Sequence, residues 1–78
     1  MKAVETIEKL IATRINVLNE CLKNGYGEDF DRVRNQICGM MVCLKNLEGA
    51  RGFYNVDYYD TYVEFGYYDK NHNWNVIA

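Results

Sequence analysis

The chain has no proline and no serine, and only one histidine and one tryptophan among its 78 residues. Without proline there is no rigid linker and no polyproline ligand segment. Without serine, and with a single imidazole, the nucleophile–base–orienter sets of covalent catalysts lack parts. His72 stands between Asn71 and Asn73 and reads as a solvated turn residue. No enzyme activity is expected.

Long apolar runs are missing too. No stretch approaches the roughly 18 apolar residues that span a bilayer. After Lys2 the segment turns amphipathic at once, with Glu5, Glu8 and Lys9, unlike a signal peptide. The expected location is cytoplasmic, with no membrane partner. A basic excess is absent as well: the formal charge is −2, whereas nucleic-acid binders concentrate positive charge on one face. Arg32, Arg34 and Arg51 are diluted by Glu28, Asp29 and Asp31, and Gly25-Tyr26-Gly27 lacks the Lys-Ser/Thr of a nucleotide loop. No direct nucleic-acid contact is expected.

Cysteines are three, an odd number that cannot pair fully within one chain. Cys38 and Cys43 lie five apart on a helical pattern, about 140° from each other, too divergent to chelate one ion. Asp69-x-Asn71-x-Asn73 imitates the opening of a calcium loop, but Trp74 takes the position where that loop needs glycine. Side-chain-to-backbone hydrogen bonds shaping a turn explain these residues better. No metal and no cofactor are expected, and the thiols read as reduced.

What is present is strong periodicity, in a chain with room for one domain. Val4, Ile7, Ile11, Ile15, Leu18 and Leu22 recur every three or four residues, which predicts a helix over 3–24. Leu10, Val17 and Cys21 widen its apolar side. Asn24-Gly25 supplies a helix stop. Glu28, Asp29 and Asp31 suit a first helical turn, and Phe30, Val33, Ile37, Met40, Leu44 and Leu47 form an a/d seam over 28–48. So short a connection forces the two helices antiparallel. Beyond Phe53 the period becomes two. Thr61, Val63, Phe65 and Tyr67 share one strand face, and Tyr62, Glu64 and Tyr68 the other. After the polar turn 69–73, alternation resumes at Trp74, Val76 and Ala78. Residues 53–59 read as a further strand or an extended arm. The expected fold is α+β: an antiparallel two-helix hairpin followed by a C-terminal β-hairpin, an aromatic-rich element within 53–78.

That element carries the functional signal. Residues 53–78 hold four acids against Lys70, a charge of −3, whereas residues 1–52 hold eight bases against seven acids, a charge of +1. Between Asp57 and Asp69 lie six aromatics and no base. Tyrosine gives large contact area at low entropic cost, and an acid-rimmed aromatic surface suits a protein with a basic surface. The candidate partner-binding residues are Tyr58, Asp60, Tyr62, Glu64, Tyr68 and Asp69.

Arg14-Ile15-x-x-Leu18…Cys21-Leu22-Lys23-Asn24-Gly25 and Ile37-x-Gly39-x-x-x-Cys43-Leu44 resemble the helical hairpin of small bacteriophage accessory proteins. The resemblance covers residues 10–47. It implies no catalytic residues; it implies a chain that binds and inhibits a host enzyme or a defence complex, as anti-CRISPR proteins do. The alternative expectation is a structural or assembly protein whose helices form a homodimeric bundle.

Overall fold

A computed structural model describes residues 2–25 and 27–78. Helix α1 spans Lys2–Asn24 and helix α2 spans Gly27–Lys45. At the end of α1 the Gly25 amide donates to the Cys21 carbonyl at 2.7 Å, and Gly25 takes φ +77°. This is the left-handed cap that its missing Cβ allows. Tyr26, in the expected glycine-rich connection, lies outside the described residues. The helices run antiparallel, with Arg14 Nε donating to Gln36 Oε1 at 3.2 Å across the pair.

α2 stops three residues short of the expected Glu48. The amides of Asn46 and Leu47 bond to carbonyls three residues back, at 3.2 Å each. The chain thus tightens before Gly49, at φ +84°, turns it away. The seam also differs in one member: Met41 is buried, and Met40 only partly. A strict heptad describes a helix with one neighbour. α2 has two, since it also packs against the sheet, and its buried stripe turns toward that second contact.

The sheet has three antiparallel strands in the order β1-β2-β3: β1 Phe53–Tyr58, β2 Val63–Tyr68 and β3 Trp74–Val76. The expected hairpin is β2–β3, and residues 53–58 are a strand rather than an arm. Both helices lie on one sheet face, α1 over β2 and α2 over β1. Directly paired residues share a face. Tyr54, Val56 and Tyr58 therefore point inward with Tyr67, Phe65 and Val63, their partners in register. Tyr54, Phe65, Ile11, Ile15, Leu18, Ile37, Leu44 and Val63 are the largest fully buried side chains. Each contributes about 1.5–3 kcal/mol of hydrophobic stabilisation.

β3 is short, and its ladder closes on a bulge: Ile77 and Ala78 amides both donate to the Phe65 carbonyl, at 2.8 and 3.0 Å. One step further along β2, a side chain replaces the missing strand. Val63 N donates to Asn19 Oδ1 at 2.7 Å, and Asn19 Nδ2 donates to Val63 O at 3.1 Å. The carboxamide copies a peptide unit and ties α1 to the sheet. Asn19→Ala removes both bonds and leaves a half-buried amide and carbonyl exposed to weak solvation only. Urea denaturation should show a loss of about 1–3 kcal/mol. Amide exchange at Val63 should accelerate more than at Phe65, whose partners are untouched.

Candidate partner-binding face

Two polar constellations stand out, and they serve opposite ends. The first is buried. Glu8, 4 % exposed, sits in the apolar stripe of α1 between Val4 and Ile11. Arg51 grips it with both ends of its guanidinium, Nε to Oε2 at 2.9 Å and an Nη to Oε1 at 2.6 Å. The Tyr54 hydroxyl donates to Oε2 at 2.6 Å and accepts from the Arg51 amide at 3.0 Å. Arg51 also lies 5.1 Å over the Tyr67 ring. Burial pushes the Glu8 carboxyl upward and is the largest single influence, but the Arg51 and Tyr54 bonds and the Arg51 charge together hold it below its ordinary value. The Tyr54 phenol is raised, by burial first. Both carboxylate oxygens are bonded within the cluster. The cluster anchors the 46–52 connection to α1.

The second constellation is the outer face of the sheet, which no helix covers. From β1 it carries Phe53, Asn55 and Asp57; from β2, Glu64, Gly66 and Tyr68; from β3, Trp74 and Val76. Tyr59 and Tyr62 continue the same parity into the β1–β2 connection, their rings stacked at 4.6 Å. Phe53 is 64 % exposed, with Lys45 Nζ 5.2 Å from its ring. Tyr68 and Trp74 pack with centroids 4.9 Å apart. Gly66 is obligatory there, because a Cβ would run into the Asn75 carbonyl and the Trp74 ring. The face thus has an aromatic group at each end.

Between the ends lie two carboxylates. Asp57 and Glu64 are direct cross-strand partners, an arrangement that destabilises a sheet because the like charges oppose each other. Each is half-buried. Asp57 accepts from Asn55 Nδ2 at 2.6 Å and from the Tyr59 hydroxyl at 3.4 Å. Glu64 accepts from the Trp74 indole at 2.7 Å. Among the described residues neither forms an ion pair; the two ion pairs present are Arg32–Asp29 and Arg51–Glu8. The Tyr59 phenol is held above its usual value, by desolvation first and then by the negative field of Asp57, with the neighbouring Tyr62 and Glu64 adding to it. Among the described residues no three His, Cys, Asp or Glu side chains cluster as metal ligands would.

The six candidate residues divide by position. Glu64 and Tyr68 lie on the outer face, and Tyr62 and Asp60 lie at or beside its tip. Tyr58 faces the helices, edge-on to Phe30 at 6.3 Å and beneath the Arg34 guanidinium at 4.9 Å. Asp69 is consumed by its turn: its Oδ1 accepts from the amides of Asn71 and Asn73 at 2.9 and 3.0 Å. Those bonds, the Asn73 one foremost, lower its carboxyl. His72 sits exposed in the same turn at φ +62°. Phe53, Asp57, Tyr59 and Trp74 join the face without having been singled out. The period-two pattern Phe53-x-Asn55-x-Asp57-x-Tyr59 was the available signal, interrupted by the equally alternating Tyr54-x-Val56-x-Tyr58.

The three thiols are free, Cys21 buried and Cys38 and Cys43 exposed. No helix among the described residues is long and apolar enough to cross a membrane. No family model, no curated protein and no solved structure matches the chain.

Proposed function

We infer that the chain is a non-enzymatic protein-binding module of the cytoplasm that engages a basic partner through the outer face of its sheet. The Asp57–Glu64 pair carries the reading. Two opposed, half-buried carboxylates without a cation cost stability, and an arginine or lysine supplied by a partner would relieve that cost on binding. Phe53, Tyr68 and Trp74 at one end and Tyr59 and Tyr62 at the other supply the apolar contact around such a cation. The likeness to bacteriophage accessory chains adds that the partner is a host enzyme or defence complex, inhibited when bound.

The test is affinity capture from bacterial lysate on the immobilised chain, beside a Phe53→Ser/Tyr62→Ser variant. Both positions are exposed, so the variant should keep its far-UV spectrum. The expected result is a basic protein retained by the parent, released by moderate salt, and retained at least tenfold less by the variant. Retention unaffected by both salt and substitution would refute the reading. The homodimeric helical bundle has one observation in its favour, since Leu10 and Val17, one heptad apart on α1, are each 41 % exposed. It would lose its mass on Leu10→Glu/Val17→Glu and be indifferent to Phe53.

A further inference from the structure

β1 is an edge strand, and its open side is set by the ladder it forms with β2. Tyr59 N donates to Tyr62 O at 2.9 Å, so the residues bonded to β2 alternate back along β1 through Asp57, Asn55 and Phe53. The amides and carbonyls of Tyr54, Val56 and Tyr58 therefore point to the open edge. Edge strands are normally protected by proline, lysine or a bulge. The segment Phe-Tyr-Asn-Val-Asp-Tyr has none of these, and its register is unbroken. α2 lies over β1, and between its flank and the strand runs a groove lined by Cys38, Met41, Val42, Lys45, Val56 and Tyr58. Val42 there is 63 % exposed and Tyr58 41 %.

We propose, resting on the outer-face reading above, that this edge takes an extended segment of the basic partner as a fourth, antiparallel strand. The segment is apolar toward the groove and basic on the outer face. What the edge admits decides the occupant. Because α2 covers the edge strand itself, a second copy pairing through its own β1 would bring two α2 helices to roughly 4.8 Å. Packed helices need roughly 8–10 Å. A segment with no helix above it meets no such obstacle.

Tyr54, Val56 and Tyr58 each exchange both main-chain bonds with the residue opposite, and those partner residues turn their side chains inward, toward α2. The middle one, opposite Val56, enters the groove beside Met41 and Val42 and is a mid-sized aliphatic. A cation is unwelcome there, since the Arg34 guanidinium stands 4.9 Å over the Tyr58 ring and Lys45 lines the same groove. The partner residues between these face the other way. One of them lies opposite Asp57 in a non-hydrogen-bonded pair, the kind with the closer side chains, roughly 4.5 Å between Cα atoms. An arginine there reaches Asp57 and extends toward Glu64, the direct cross-strand neighbour of Asp57. At the far end of the strand the Lys45 ammonium already stands 5.2 Å from the Phe53 ring, so the partner's cation belongs at Asp57. Charge thus sets both parity and position. The main-chain bonds give affinity, and the alternating side chains give specificity.

The probes are end-blocked, fluorophore-labelled peptides centred on Val-Arg-Val-Thr-Val, titrated by anisotropy against the full chain. In the antiparallel pairing their arginine falls opposite Asp57 and their central valine opposite Val56. Binding should saturate, and should weaken about fivefold or more when glutamate replaces the arginine. N-methylation of the central valine, whose amide faces β1, should cost about tenfold or more; N-methylation of the next residue, threonine, whose amide faces solvent, should cost little. Val56→Pro, which removes an outward amide where an edge strand tolerates proline, should weaken the parent peptide as much as the first methylation. Should that variant unfold, the two methylated peptides decide on the unaltered chain. Absence of saturable binding, equal effects of the two methylations, or a preference for glutamate overturns the proposal. So does a peptide-free dimer that Val56→Pro returns to one chain mass in sedimentation equilibrium, which would give the edge to a second copy. Lysate capture lost with Phe53→Ser/Tyr62→Ser but untouched in a folded Val56→Pro chain also overturns strand addition, and leaves the outer-face reading standing.

Discussion

Tyr54→Ala should remove a large share of the stability of this chain, about 3–5 kcal/mol from the emptied ring site alone. A chain of this size has roughly 4–12 kcal/mol in total. Tyr54 is fully buried and packs its ring 6.1 Å from Phe65 and 5.9 Å from Tyr67. Its hydroxyl closes the Glu8–Arg51 cluster on one side and accepts the Arg51 amide on the other. Tyr54→Phe separates these roles. It keeps the packing and loses two hydrogen bonds, for an expected loss of about 1–3 kcal/mol. Urea titrations followed by Trp74 fluorescence provide both numbers. A Phe variant as unstable as the Ala variant would show that the hydroxyl, not the ring, is the dominant contribution.

Arg51→Ala should change both the size and the pH dependence of stability. In the parent the folded Glu8 carboxyl lies below its ordinary value of 4.5. A depressed carboxyl contributes stability above its unfolded pKa, and that contribution is lost as pH falls through the folded value. Remove Arg51, and burial, the largest influence, is opposed only by the Tyr54 hydroxyl and the positive charge of the N-terminus. The Glu8 carboxyl then rises above its ordinary range, and the folded variant binds a proton more tightly than the unfolded chain. Its stability should fall as pH rises through that raised value, the opposite sign. At neutral pH the expected loss is about 2–3 kcal/mol. This lies below the ~3–5 kcal/mol of fully buried pairs because Arg51 is half exposed. The difference between parent and variant, measured by urea denaturation from about pH 4 to pH 8, cancels the other titrating groups. It should widen with pH. A difference independent of pH would mean that Arg51 acts by packing on Tyr67 rather than by its charge.

The helices were legible because their apolar residues repeat locally, and the stripe Val4, Ile7, Ile11, Ile15, Leu18 and Leu22 leaves no competing pattern. The β2–β3 hairpin was legible for the same reason, with Asp69, Asn71 and Asn73 marking its turn. β1 was obscured because both of its faces alternate in aromatics. Tyr54-x-Val56-x-Tyr58 is the core face and Phe53-x-Asn55-x-Asp57 the outer one, and composition alone does not rank them. Glu8 interrupts an apolar stripe, which was a visible anomaly, but its partner lies 43 residues away and no periodicity connects them. The opposition of Asp57 and Glu64 depends on register. It follows only once the Tyr59–Tyr62 connection pairs the two strands. Tyr58 shows the limit most plainly: by composition it belongs with Tyr59 and Tyr62, yet strand parity turns it toward Phe30 and Arg34.

In the proposed function, the outer face has given up stability for binding. Asp57→Asn/Glu64→Gln tests this directly, since the two amide oxygens can still accept from Asn55 and Trp74, and the new amide group at position 57 can donate to the Tyr59 oxygen, while the charges vanish. If the face exists to receive a partner's cation, the double variant should be more stable in urea, by about 0.2–1 kcal/mol. The same variant should bind the captured basic partner at least tenfold more weakly. A variant that is less stable and binds undiminished would contradict the claim and assign the two carboxylates to the fold alone.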